Sequence, residues 1–256
     1  MKQAMIFAAG LGTRLKPLTD TMPKALVRVG GEPLLWHVVQ KLKAAGYERI
    51  VINVHHFAQQ IIDYVGANQS FGLDIRISDE TGGLLETGGG IKKALPLFDP
   101  SSPVLIHNVD ILSNLSLSSL SPGPSPSREG SEPNLTRGLS PCEVSPCEAL
   151  LVVSRRKTKR YLQFDDEMRL VGWKNIETGE VKGREGRSLA FSGLHVLYPS
   201  AFPLLEEWPD RFPIMDFYLD VCDKCRITGY ETPGLRLMDV GKLDTLDEAN
   251  DFIKTL

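Results

Sequence analysis

The chain has 256 residues, 42% of them hydrophobic and 24% charged, and a net charge of −3. Such a length can bury a sizeable core, and a single domain is expected because the motifs described below lie near both ends. The charge argues against a nucleic-acid or acidic-membrane partner, and no apolar run approaches the ~20 residues of a membrane-spanning helix.

Met5-Ile6-Phe7 belongs to an apolar run at 4–9 that reads as a buried parallel strand. Lys2 and this short run do not make a secretory leader, so the sequons at Asn68, Asn114 and Asn134 carry no weight and a cytoplasmic chain is expected. Ala8-Ala9-Gly10-Leu11-Gly12-Thr13-Arg14 follows at once. Glycines just past a strand let the backbone turn sharply and present N–H groups to an anion. Thr13 adds a hydroxyl, Arg14 a forked cation and Lys24, fixed behind Pro23, a point charge, so the segment is suited to a polyphosphate. A dinucleotide fingerprint would place a third small residue where Leu15 stands, and the Gly-Lys-Ser/Thr of a Walker A loop is absent.

Further strands are expected near 49–54, 73–78 and 103–109, and helices near 33–45, 57–66 and 88–97, with Pro33 in a first turn and Gly46 as a C-cap. That alternation predicts a parallel sheet with helices on both faces. His55-His56 follows a strand, and adjacent residues there point to opposite faces, so the pair reads as structural or as a contact behind the site and not as a metal pair. Asp110 ends the strand at 103–109, where open α/β sheets bind ligands. From Ser113 to Cys147 the composition turns to Ser, Pro, Gly and Glu, and residues 121–146 are expected to be a disordered, inert insertion.

The second half reads as strands around 150–153, 161–164, 170–173 and 189–198, joined by polar turns. A helix at about 216–226 carries Cys222 and Cys225 one turn apart, and Cys142 and Cys147 lie in the Pro/Ser-rich stretch. Leu235-Arg236-Leu237-Met238 is expected to form a second inner strand ending at Asp239, before a helix at about 242–254.

Gly10-Leu11-Gly12-Thr13-Arg14-Leu15-Lys16-Pro17-Leu18-Thr19 with Pro23-Lys24-Ala25-Leu26 resembles the signature of sugar-1-phosphate nucleotidyltransferases. Leu85-Glu86-Thr87-Gly88-Gly89-Gly90-Ile91-Lys92-Lys93-Ala94-Leu95 is similar to the branch of mannose-1-phosphate guanylyltransferase-like proteins and N-acetylmuramate-1-phosphate uridylyltransferase, and Phe191-Ser192-Gly193 and Asp239-Val240-Gly241 fit the same family. The resemblance implies a Rossmann-like mixed, mainly parallel sheet with helices on both faces and a β-rich acceptor-binding half. It implies transfer of a nucleotidyl group from a nucleoside triphosphate, GTP or UTP, to a sugar 1-phosphate. Arg14, Lys24 and Asp110 are the catalytic candidates; Ala8, Ala9, Gly10, Gly12, Thr13, Thr87, Gly88 and Asn108 are the other nucleotide contacts. Lys174, Ser192 and Gly193 are assigned to the acceptor, and Asp110 with Asp239 to Mg²⁺, their strand ends meeting at one edge of the sheet. Val109 stands where the family has Gly, and two methyl groups there would crowd the ribose or sugar. The alternatives are a catalytically silent sugar-nucleotide-binding homologue and a transferase for a non-sugar phosphate such as phosphocholine. The latter would need an aromatic cage, for which Tyr161, Phe164 and Trp173 are available. The chain ends soon after Asp239, so no appended domain is expected.

Replacing residues 121–146 with a short Gly-Ser linker should leave turnover within about tenfold of the parent, measured as pyrophosphate release; a larger loss would mark the insertion as a lid.

Overall fold

The structure, a computed structural model, describes residues 1–120 and 147–256. The first half contains β1 (Gln3–Phe7), the hairpin β2 (Arg28–Val29) and β3 (Glu32–Pro33), α1 (Leu34–Ala44), β4 (Arg49–Val54), α2 (Ala58–Ala67), β5 (Asp74–Asp79), α3 (Glu86–Ala94), β6 (Val104–Asn108) and β7 (Ile111–Ser113). After the insertion come β8 (Cys147–Ser154), β9 (Arg160–Phe164), β10 (Leu170–Asn175), β11 (Val181–Gly183), β12 (Arg187–Leu197), α4 (Phe202–Glu206), α5 (Ile214–Val221), β13 (Arg226–Glu231), β14 (Leu237–Asp239) and α6 (Leu246–Ile253).

Strands β6-β1-β4-β5 are parallel neighbours. Alternate side chains point to opposite faces of such strands, and the core divides accordingly. Ala4, Ile6, Ile50 and Ile52 pack with Leu35, Val38 and Leu42 of α1 and Ile61 of α2. Met5 and Val51 pack with Ile91 of α3 and with Phe217 and Tyr218 of α5. The chain passes from β1 outward to β4 and β5, then returns through α3 to β6 on the other side of β1. That reversal opens a crevice at the C-terminal ends of β1 and β6, the place where open α/β sheets bind ligands.

β12 runs antiparallel to β6 and joins the two halves of the molecule. Its start pairs with β9, which leads to β10 and β11, and it also pairs with β8, which carries β13 in parallel. Its register on β8 shifts between Phe191 and His195, where Gly193 adopts φ +75°. A bulge with glycine at positive φ bends the strand and re-aims its neighbours.

Several expectations are corrected. The strand expected at 4–9 runs from Gln3 to Phe7, and the helix expected at 88–97 starts two residues early and ends at Ala94. The helix expected at 216–226 ends at Val221, leaving Cys222 in a turn with its Sγ 3.3 Å from the Leu219 carbonyl. Arg226–Glu231 is a strand not anticipated. The strand leading to Asp239 is not an inner one: β14 pairs antiparallel with β7 in a separate two-stranded ribbon. Leu115, Leu117 and Leu120 are buried, so the start of the Ser-rich stretch belongs to the core. The expected disorder at 121–146 lies outside the described residues. Among those described, no helix is long and apolar enough to cross a membrane.

The glycine run of α3 serves packing. A Cβ on Gly89 would lie 2.1 Å from the Asp210 carbonyl oxygen, and one on Gly10 would meet nothing within 4 Å. Gly89→Ala should therefore lower stability to urea by about 1–3 kcal/mol, as over-packing does, with Gly10→Ala nearly neutral in the same titration.

Candidate functional site

The loop after β1 is shaped by three contacts. Asn53 of β4 accepts hydrogen bonds from the N–H groups of Ala8 (2.7 Å) and Ala9 (3.3 Å), which leaves the amides beyond Ala9 for an anion. Gly12 sits at φ +63°, and a Cβ there would approach Thr19 Cγ2 to 2.9 Å and Lys24 Cβ to 3.1 Å. Thr19 Oγ1 donates to the Gly12 carbonyl at 2.9 Å, so glycine is needed for both the turn and the close approach. The loop is thereby pinned to the segment that carries Lys24.

Lys24 is largely buried and its ammonium pairs with Asp110 Oδ2. A paired, mostly buried lysine is fixed in place in a way that a surface lysine is not. Asp110 follows β6 directly, and its carbonyl accepts the Val240 N–H at 2.8 Å. The β7–β14 ribbon places Asp239 opposite Ile111. A Cβ on Gly241 would lie 2.6 Å from Asp239 Oδ1 and 2.9 Å from Arg14 Nη2, so the ribbon also sets Asp239 beside Arg14. Asp110 and Asp239 do converge, through this ribbon and not through two parallel strand ends as expected. Burial first, and then the charge of Asp110, pushes the Asp239 carboxyl above the usual carboxylate range, while Lys24, Arg14 and Arg156 pull it down.

A cavity of about 430 Å³ lies over these groups. Its lining includes Ala8, Ala9, Gly10, Gly12, Thr13, Arg14, Lys24, Thr87, Asn108 and Asp110, so most of the expected nucleotide contacts share one wall. Gly88 does not: it is buried against the Phe212 ring, and its N–H donates to the Phe212 carbonyl at 2.8 Å. Thr87 is not the N-cap of its own helix; its Oγ1 accepts the Ile214 N–H at 2.9 Å and so serves the first turn of α5. Val109 is 4% exposed and belongs to the core cluster that holds Leu112 and Val240, and it also lines the cavity between Asn108 and Asp110.

On the acceptor side, Gly193 lets Asn108 come close: a Cβ there would be 2.9 Å from Asn108 Nδ2. Ser192 is buried, and its hydroxyl has no hydrogen-bond partner among the described residues. Lys174 is not among the cavity residues, and its ammonium pairs with Glu185 at 3.3 Å. The aromatics available for a quaternary-amine cage are otherwise engaged. Phe164 is fully buried, the Tyr161 hydroxyl accepts the Thr158 N–H, and Lys182 lies over the Trp173 ring.

Two cavity residues escaped sequence reasoning. Asn53 Nδ2 donates to Glu80 Oε1 at 2.7 Å, and Glu80 Oε2 accepts the Leu85 N–H at 3.2 Å, so this buried carboxylate ties the glycine loop to the start of α3. A polar residue within or just beyond a strand end is too common a pattern to have marked either. His55 Nδ1 contacts the Glu80 carbonyl at 2.7 Å and the His56 ring packs on Phe57, in keeping with a structural pair.

Residues 3–121 match the model of the nucleotidyl transferase family. Over 111 residues the chain is 50% identical to an N-acetylmuramate alpha-1-phosphate uridylyltransferase of Caulobacter vibrioides, a match covering 43% of this chain and 46% of that one. It is 35% identical over 112 residues to a mannose-1-phosphate guanyltransferase of Yarrowia lipolytica, covering 43% of this chain and 31% of the other. These alignments thus span about half or less of the relatives' own lengths. Among solved structures, HddC from Yersinia pseudotuberculosis complexed with GMP-PN superposes with a TM-score of 0.70 at 23% identity, covering 99% of this chain and 100% of that one. The fold is that of the nucleotide-diphospho-sugar transferases.

Because the folded site raises the Asp239 pKa, its ionised form costs stability once the pH exceeds the carboxylate range, and that cost vanishes below the unfolded value. Asp239→Asn should therefore raise the melting temperature of the ligand-free protein at pH 7 by up to about 2 °C, with the difference closing near pH 3.

Proposed function

With the nucleotidyl transferase match over residues 3–121 as premise, we propose that the protein transfers a uridylyl group from UTP to a sugar 1-phosphate, forming an NDP-sugar and pyrophosphate. The observation that carries this reading is the meeting of the glycine loop, Arg14 and the Lys24–Asp110 pair around one cavity at the sheet's reversal point, with Asp239 held next to Gly241 of its lining. The likeness to a uridylyltransferase at 50% identity favours UTP over GTP.

An oxygen of the acceptor phosphate attacks the α-phosphorus; the new P–O bond forms as the bond to the bridging oxygen of pyrophosphate breaks. The acceptor phosphate has a second pKa near ~6 and is mostly dianionic at neutral pH, so no general base is required. The barrier lies in bringing anions together and in neutralising charge on the leaving group, which makes positioning and electrostatics the main sources of rate.

The residues divide this work. The amides after Ala9 and the Thr13 hydroxyl bind the triphosphate, and Arg14 spreads its fork over the leaving pyrophosphate. Lys24 contributes positive charge at the α-phosphate and orients Asp110 through their ion pair. Two close carboxylates that strain against each other's charge suit a hard divalent cation with oxygen ligands, and Asp110 and Asp239 would hold Mg²⁺ there. When bound, that ion supplies charge neutralisation on phosphate oxygens. Asn108, at the end of β6 and against Gly193, lies between the triphosphate and acceptor sides.

The test is pyrophosphate release across four nucleoside triphosphates and a panel of sugar 1-phosphates with Mg²⁺. UTP should be the preferred donor. Arg14→Ala should lower kcat by about 10²–10³-fold, with Arg14→Lys recovering little of it because a point charge does not reproduce a fork. Asp110→Asn should nearly abolish turnover while circular dichroism stays native. Undiminished turnover in Arg14→Ala would overturn the assignment of the loop.

A further inference from the structure

Arg156 stands just past the end of β8, outside every motif that pointed to the site. Its Nη2 donates to the Phe191 carbonyl at 2.9 Å. Phe191 begins the segment whose third residue, Gly193, packs against Asn108 of the cavity. Arg156 is thus anchored at the acceptor side of the reaction centre, two residues from the bulge that bends β12.

Arg156 also shares a groove with Leu237, which stands two residues before Asp239 on β14. The neighbouring cations are committed elsewhere: Arg155 and Arg187 both pair with Glu231. Among the described residues Arg156 has no carboxylate partner. It lines a groove of about 760 Å³ together with Arg155, Arg236 and a single acid, Glu231, so the groove is positive in a chain of net charge −3. Ser154 and Thr232 line the same groove, and each has a buried hydroxyl without a partner among the described residues. Lys174, expected to meet the acceptor phosphate, has a carboxylate partner in Glu185, which Arg156 lacks among the described residues.

We propose that Arg156 binds and orients the phosphate of the sugar 1-phosphate. The inference rests on the nucleotidyltransferase reading of the site and adds to it the acceptor's anchoring residue. Arginine suits the task because one N–H can remain on the Phe191 carbonyl while others of its five donors take two phosphate oxygens. The attacking anion must approach a triphosphate and two carboxylates, and it needs a cation other than Arg14 and Lys24, which serve the donor.

The test compares Arg156→Ala, Arg156→Lys and Lys174→Ala with the parent, using the best donor and acceptor from the substrate panel. Arg156→Ala should raise KM for the sugar 1-phosphate about tenfold or more and leave KM for the nucleoside triphosphate within about twofold. Arg156→Lys should recover part of that loss, Lys174→Ala should raise the acceptor KM less than Arg156→Ala does, and thermal melting should be unchanged in all three. An unaltered acceptor KM in Arg156→Ala, or donor and acceptor KM rising together, overturns the inference and leaves the reading of the site intact. No turnover by the parent protein with any pair overturns the reading of the site, and this inference with it.

Discussion

Like charges held close together at the end of β6 set the terms for the rest of this structure. Asp110 and Asp239 share a partly buried corner, and burial with mutual repulsion raises the Asp239 carboxyl. Such an arrangement costs stability in the free protein, and cationic neighbours make it tolerable: Lys24 pairs directly with Asp110, and Arg14 lies beside Asp239. On the proposed reading a triphosphate, a phosphate and a divalent cation meet here, and such a site needs both signs of charge fixed in advance. Groups already oriented need no reorganisation when the reacting anions arrive.

The fold supplies this corner from chain segments far apart in sequence. The glycine loop enters from β1, Asp110 from β6, and Asp239 from a ribbon near the C-terminus. Asn53 and Glu80 fasten the loop to the neighbouring strands and to α3, and Thr87 fastens α3 to α5. Asn53 and Glu80 are buried polar groups with their partners satisfied and Thr87 is half-buried, which gives a rigid frame where an unpaired group would cost free energy. The cavity wall is therefore held firmly around the glycine loop.

The glycines in these motifs do different work at different positions. Gly12 and Gly193 take positive φ and also admit a neighbouring side chain that a Cβ would exclude. Gly88, Gly89 and Gly90 allow α3 to press against Phe212, Asp210 and Glu80, so the Gly-Gly-Gly run is a packing surface and not a phosphate cradle. Similar letters in a sequence thus stand for a turn in one place and for a helix contact in another.

The sequence by itself determined the alternating first half, the glycine loop and the identities of Arg14, Lys24, Asp110 and Asp239. These are legible because apolar period, turn chemistry and the demands of a polyphosphate all act locally along the chain. Tertiary structure decided which partners those residues have. That Lys24 pairs with Asp110, that Gly88 turns into the core, and that Asp239 arrives on an antiparallel ribbon depend on contacts between segments far apart in the chain, such as Ile111 and Asp239. Asn53, Glu80 and Arg156 were invisible for the same reason: a polar residue at a strand end looks alike whether it meets solvent or a functional loop. Only the packing of β4, β5 and β8 against their neighbours assigns each its surroundings, because burial and charge proximity are properties of the folded chain and not of the local sequence.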